Sequence, residues 1–225
     1  MNFLQGVQRL SRDCGASGTI ATTVGASGES QRFVDWYNEA WMDIQAEHPD
    51  WQWLRSSCSF VTVTDQATYT PAECGITDFG AWKPGSFRCY PTAVGTRGEM
   101  FLSPVDYEYW RDLYQFGANR DVRNRPTVIT VCPNTSVGLG HTPDASGYTV
   151  VGDYYKTPSE LSGDSAIPAL PEKHHMAIVY RAMMIYGTYE AAPEVYQRGE
   201  IEYKRMLRRM EIDRLPRLVT AGALV

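Results

Sequence analysis

The chain has 225 residues, of which 43% are apolar and 21% are charged, and its net charge at pH 7 is −5. This composition is typical of a globular protein with one buried core, and the negative charge argues against a protein that coats nucleic acid. No apolar run reaches the roughly 20 residues of a membrane-spanning helix. Residues 1–5 lack the features of a signal peptide, so we expect a protein made and kept in the cytoplasm.

Two helices are predicted near the N-terminus. Residues 2–13 place apolar side chains three or four positions apart, which indicates a short amphipathic helix. The small residues from Gly15 to Gly28 then predict a surface loop or flexible arm. Apolar side chains form a wide stripe at helical spacing from about Glu29 to Glu47. This spacing favours core packing for Trp36 and Trp41.

The middle of the chain is rich in strand and turn signals. Residues 51–63 favour a strand because they are aromatic and β-branched. Ser103-Pro104 predicts a helix over 103–116 with proline at its first position. Strands are predicted at 126–132 and 147–155, and we expect them to form a β-hairpin with the glycine-rich segment near Gly138 at the loop tip.

Two further helices are predicted near the C-terminus, from Glu172 to about Ala192 and from Pro193 to about Met210. The order of elements predicts an α+β fold. In this fold the helices of residues 1–50 and 158–212 form a bundle. A β-rich subdomain with one helix is inserted at residues 51–157, and residues 213–225 form an extended tail.

The sequence has no recognisable catalytic, cofactor or metal motif. It lacks a phosphate-binding loop and a dinucleotide-binding glycine pattern. The five cysteines are scattered and unpaired in spacing, so free thiols are expected. His174 and His175 would point about 100° apart on a helix and share no ligand face. We expect one of these rings to be packed and the other solvated, and we predict neither an enzyme nor a bound cofactor or metal.

Two blocks of sequence resemble the tailed-bacteriophage head-to-tail connector (adaptor) proteins. The first covers residues 2–18 and 29–62, and the second covers residues 147–207. In the second block, a strand ending in aromatic residues leads through a proline-rich acidic linker into a long helix. The matching residues are Tyr154, Tyr155, Pro158, Asp164, Pro168, Pro171, His174 and His175. Residues 65–147 carry no such resemblance.

The resemblance implies a structural virion protein of the neck, between capsid and tail. It implies a ring of twelve copies beneath the portal, in contact with downstream tail or nozzle proteins, with DNA passing through the lumen without sequence-specific contact. The last helix and tail would bind the portal through Arg205, Arg208, Arg209, Arg214, Arg217, Leu218, Val219, Leu224 and Val225. The residues expected to pack the bundle core are Phe33, Trp36, Trp41, Ile178, Ala182 and Tyr186.

Three alternatives stay open. A neck stopper or tail terminator ring would look equally non-catalytic. A lytic or DNA-processing enzyme would need an acidic site in the middle of the chain, for which Asp78, Asp144 and Asp153 are candidates. A nucleic-acid-binding module could use the basic segment 198–217, although acidic residues interleave with its basic ones.

Overall fold

The computed structural model describes residues 1–144 and 147–215, which confirm the predicted α+β fold. The helices are α1 (Phe3–Asp13), α2 (Glu29–Glu47), α3 (Tyr107–Tyr114), α4 (Met176–Tyr189) and α5 (Pro193–Arg214). The strands are β1 (Arg55–Val61), β2 (Thr68–Tyr69), β3 (Phe79–Pro91), β4 (Met100–Phe101), β5 (Ser103–Pro104), β6 (Val128–Val131), β7 (Val137–Gly140) and β8 (Tyr148–Lys156). The chain divides into two compact units. The helical unit comprises Met1–Leu54 and the chain from Pro158 onward, and the β unit comprises Arg55–Thr157.

In the helical unit, α4 is the central helix. It is apolar almost all round and contacts α1, α2 and α5, as expected of a helix buried on several faces. Its connection to α5 is tight because two glycines let the helices approach. A Cβ at Gly187 would lie 2.7 Å from the backbone nitrogen of Tyr196, and one at Gly199 would lie 2.8 Å from the carbonyl oxygen of Tyr180. Only glycine fits these two contacts.

The small-residue arm is a loop that is fastened to the proline-rich linker. The backbone N–H and hydroxyl of Thr23 both donate to one oxygen of Asp164 at 2.6 Å, and the hydroxyl of Thr22 donates to the other at 2.9 Å. These hydrogen bonds lower the pKa of Asp164 below its usual range. Gln8 also donates to the carbonyl of Ile20 at 2.8 Å. The carboxylate therefore organises a segment that has few apolar side chains of its own.

The β unit contains two four-stranded sheets that share one apolar core. Their strand orders are β1-β8-β3-β4 and β2-β7-β6-β5. All pairings are antiparallel except that of β5 with β6. Fully buried side chains from both sheets meet in the core, including Phe87, Ile129, Leu139 and Val150. Helix α3 packs on the second sheet through Trp110, which is 3% exposed.

The helix predicted over 103–116 begins later than expected. Ser103 and Pro104 form strand β5, in which Ser103 pairs with Val128, and the helix begins at Tyr107 with Asp106 at its N-cap. The prediction was wrong because strand pairing competes with the local proline signal. The backbone N–H of Ser103 donates to the carbonyl of Thr127 at 3.0 Å, so the chain gains a sheet bond that a helix start would leave unmade.

The predicted hairpin of residues 126–132 with 147–155 is also wrong. Strand β6 pairs with β7, while β8 lies between β1 and β3 in the other sheet. The segment around Gly138 is therefore a buried strand and not a loop tip. Its glycines make room for aromatic rings, because a Cβ at Gly138 would lie 2.8 Å from the Trp110 ring and one at Gly140 would lie 2.9 Å from the Tyr114 ring.

Candidate functional site

The C-terminal half of α5 carries the candidate partner-binding surface, which we call the α5 surface and define by Arg205, Arg208, Arg209 and Ile212. The three arginines are exposed, and Ile212 is 78% exposed. Arg205 forms an ion pair with Glu202 at 3.4 Å. Within the described chain, Arg208 and Arg209 form no ion pair. The helix thus presents two uncompensated positive charges beside an exposed apolar side chain.

Asp213 fastens the last turn of α5 to the 3₁₀ turn that precedes α4. Its Oδ2 atom lies 2.6 Å from Lys173 Nζ and 3.1 Å from His174 Nε2. The hydrogen bonds from Lys173 and His174 hold the pKa of Asp213 at about 2, because both groups favour the ionised carboxylate. The point at which the chain leaves α5 is therefore fixed by charge-assisted contacts.

Further contacts fix α5 to α2. Tyr203 donates to Glu47 Oε2 at 2.5 Å, and burial together with this acceptor raises the pKa of Tyr203 above its usual range. Near the end of the helix, His48 Nε2 lies 3.2 Å from Glu211 Oε1. These pairs join residues more than 150 positions apart in the chain. They hold the α5 surface on a rigid support, which suits a binding surface.

A groove with a volume of about 490 Å³ lies beside the α5 surface. It is lined by Lys173, His174, Met206, Arg209, Ile212 and Asp213. Its apolar side chains are flanked by charged groups, an arrangement that is typical of protein–protein contact surfaces.

The structure places the sequence-predicted contact residues unevenly. Arg214 is half-buried and lies 3.2 Å from Asp213, so part of its charge is already neutralised. The remaining predicted residues lie outside the described residues; they are Arg217, Leu218, Val219, Leu224 and Val225.

The side chains expected in the bundle core are mostly buried. Five of them are buried, namely Phe33, Trp36, Trp41, Ile178 and Ala182. Tyr186 is half-buried. Its ring stacks on that of Phe33 at 5.7 Å and meets the edge of Trp36 at 5.5 Å.

The two adjacent histidines differ from the expectation that one ring would be solvated. His174 is 4% exposed and His175 is 3% exposed. His174 faces Asp213, while His175 Nε2 lies 2.8 Å from the carbonyl oxygen of Leu170. Burial lowers the pKa of His175. The prediction was wrong because the acceptor for His174 lies 39 positions away in the chain, where no local pattern indicates it.

The acidic residues considered for an enzyme site have structural partners. Asp78 accepts from Tyr154 at 2.7 Å and pairs with Lys156 at 2.8 Å, and Asp153 pairs with Arg55. Over residues 1–144 and 147–215, no group of three His, Cys, Asp or Glu side chains could hold a metal ion, and no helix is both long and apolar enough to cross a membrane. All five cysteines are free and buried.

Comparison with known proteins identifies the family of the chain. No curated protein matches the chain. The family model described as "SU10 adaptor protein" matches residues 1–222. The match includes both helical segments and the β-rich middle, for which the sequence alone carried no resemblance. The chain therefore belongs to the SU10 adaptor protein family, and it is a structural adaptor protein of a bacteriophage.

Proposed function

We propose that the protein forms a ring in the neck of the virion, beneath the portal, and that it connects the capsid to downstream tail or nozzle proteins. Family membership supports the adaptor role. The observation that carries the portal contact is the α5 surface. There Arg208 and Arg209, which have no ion pair among residues 1–144 and 147–215, adjoin the exposed side chain of Ile212. A cationic surface with an apolar centre suits an acidic patch on a partner ring.

The anchoring of α5 supports this assignment. A surface that is already fixed loses little conformational entropy when it binds, and the contacts of Asp213 and Glu211 fix its last turn. Residues 216–225 follow α5 directly in the chain and contain four apolar side chains already named as candidates, Leu218, Val219, Leu224 and Val225. We assign them to the same portal contact.

The ring requires contacts between neighbouring copies. The helical unit offers an aromatic surface for this purpose, with Tyr189 57% and Tyr196 36% exposed beside the buried Trp36. A groove of about 440 Å³ lies among these side chains. Exposed aromatic clusters are enriched in permanent interfaces. A head-to-tail contact between copies forms a closed ring when the rotation from one copy to the next is a whole fraction of a full turn, here one twelfth. DNA would pass through the lumen without sequence-specific contact.

The portal contact is tested with purified portal rings and the double variant Arg208→Ala/Arg209→Ala. Loss of two charge-assisted contacts should weaken binding about 100-fold at fixed salt. The matched control is Arg12→Ala/Arg198→Ala, which removes two exposed arginines elsewhere in the helical unit. The control should bind as the wild type does. Equal affinity of the α5 double variant and the wild type would overturn the proposed contact.

A further inference from the structure

A cleft in the β unit has no role in the function proposed above. It has a volume of about 510 Å³ and lies between α3, the 3₁₀ turn Gly117–Asp121 and the turn that joins β6 to β7. Its walls include the aromatic rings of Tyr107, Trp110 and Phe116. All of its lining residues belong to the β unit.

Two hydrogen-bond donors in the lining lack an acceptor. The indole N–H of Trp110 is buried and has no partner within the described chain, and the same holds for the side-chain amide nitrogen of Gln115. Trp110 is 3% exposed. The other tryptophan of this unit, Trp82, donates to the carbonyl of Thr135 at 2.6 Å. Buried donors are almost always paired in proteins, so an acceptor supplied by a ligand would satisfy these two donors.

The charged side chains that line the cleft are cationic, so they attract hydrogen-bond acceptors as the unpaired donors do. Arg120 is exposed and forms no ion pair within residues 1–144 and 147–215, and Arg111 pairs with its neighbour Asp112 at 3.3 Å. Among the described lining residues there is no carboxylate. A complementary ligand must therefore bring hydrogen-bond acceptors and negative charge, as carboxylates and main-chain carbonyls do.

The surroundings favour a polypeptide over a nucleic acid. The ring of Phe116, which is 57% exposed, and the half-buried ring of Tyr107 give the cleft an apolar wall. Residues 106–125 contain four basic and four acidic side chains, so this region lacks the excess positive charge that a phosphate backbone requires. Apolar rings beside cationic donors fit a peptide with both apolar and acidic side chains.

We propose that this cleft binds an extended, acidic and apolar segment of a partner polypeptide, which places acceptors on Trp110 and Gln115 and a carboxylate on Arg120. The site goes beyond the portal contact, since that contact uses the helical unit. The cleft gives the adaptor a second, independent binding surface.

The test uses the full chain labelled with ¹⁵N and a synthetic peptide in which Asp and Leu alternate over six residues. The probe should shift the indole N–H resonance of Trp110, which is identified by its loss in Trp110→Phe. Gln115→Leu identifies the side-chain amide resonance if Trp110→Phe does not fold. By anisotropy of the labelled peptide, Arg120→Ala should bind at least about tenfold more weakly. The control Arg97→Ala, an exposed arginine outside the cleft, should bind within about twofold of the wild type.

Any of the following results would overturn the proposal. The first is an unshifted Trp110 resonance at saturating peptide. The second is unchanged affinity in Arg120→Ala, or equal binding of a peptide with Lys in place of Asp. The third is competition by duplex DNA, which would indicate a phosphate site. Portal binding by Arg120→Ala is measured in parallel and should match the wild type, so that failure of one surface is distinguished from failure of the other.

Discussion

The two units of this adaptor differ in the surface that they leave exposed. In the helical unit, Asp213 joins the end of α5 to Lys173 and His174, so this end of the helix is held in place. Most of the exposed large apolar side chains of the described chain belong to the β unit, which also contains the cleft beside α3 that we call the α3 cleft. The helical unit thus suits a rigid anchor, whereas the β unit presents more apolar surface to a partner.

The largest loss of stability is expected from a substitution in the core of the helical unit, at Trp41. This side chain is 2% exposed, so Trp41→Ala should lower the free energy of unfolding by about 3–5 kcal/mol through lost burial and a residual cavity. Denaturation with urea, followed by circular dichroism, measures the change. The control Ile201→Ala truncates a side chain that is 58% exposed and should change stability by less than about 0.5 kcal/mol. Equal effects of the two variants would contradict the assigned core.

The core of the β unit is expected to respond to an added methyl group. A Cβ at Gly152 in β8 would lie 2.5 Å from the ring of Phe87, which is fully buried. Gly152→Ala should therefore cost about 1–3 kcal/mol of unfolding free energy through overpacking. At Gly85, on the neighbouring strand β3, an added Cβ meets nothing within 4 Å, so Gly85→Ala should be neutral within a few tenths of a kcal/mol. A neutral Gly152→Ala would show that the Phe87 ring packs less closely on strand β8 than the structure indicates.

A substitution at Asp164 tests whether a single carboxylate orders the loop between Gly15 and Gly28, which has few apolar side chains of its own. Asp164→Ala removes the acceptor for Thr22 and Thr23 and should make the loop between Gly15 and Gly28 more accessible to proteases, with little effect on global stability. Limited proteolysis with mass spectrometry reads out the cleavage sites. The control is Asp121→Ala in the β unit, which removes an exposed carboxylate. Unchanged cleavage in Asp164→Ala would show that the hydrogen bonds of Thr22 and Thr23 to Asp164 do not hold the loop in place.

The smallest expected effect is the acid dependence contributed by Asp213. Its pKa is about 2 in the folded chain and about 3.9 when unfolded, so the unfolded chain binds more protons between these values. The stabilisation is complete above about pH 4 and is lost as the pH falls towards 2. Asp213→Asn should flatten the decline of the urea midpoint over this range, whereas Asp121→Asn should retain it. An equally steep decline in both variants would refute the anchoring role of Asp213.

The difference between the units also explains what the sequence could predict. The stripe of α2 is a local pattern, and the burial of Trp36 and Trp41 agrees with it. In the β unit, the pairing of Ser103 with Val128 and the separation of β6 from β8 depend on contacts between distant segments, which local proline and glycine signals do not report. For this reason the predicted helix start and hairpin were wrong while the fold class was confirmed.

Contacts between distant segments also limited what could be predicted about the binding surfaces. The basic residues of α5 were recognisable in sequence because they are clustered, but the partner of His174 was not, since Asp213 meets it only after α4 and α5 have packed. The α3 cleft could not be foreseen at all. Trp110, Gln115 and Arg120 belong to no recognisable sequence motif. Their proposed role follows from the fold, which supplies no acceptor for the Trp110 and Gln115 donors within the described residues.

The central claim is that this protein docks on the portal through the end of α5. Electron cryomicroscopy of purified portal mixed with the full chain tests it most directly. We predict a closed ring of twelve copies in which Arg208 and Arg209 face an acidic surface of the portal. A portal that stays bare, or copies bound through the β unit with the end of α5 turned away from the portal, would contradict the account.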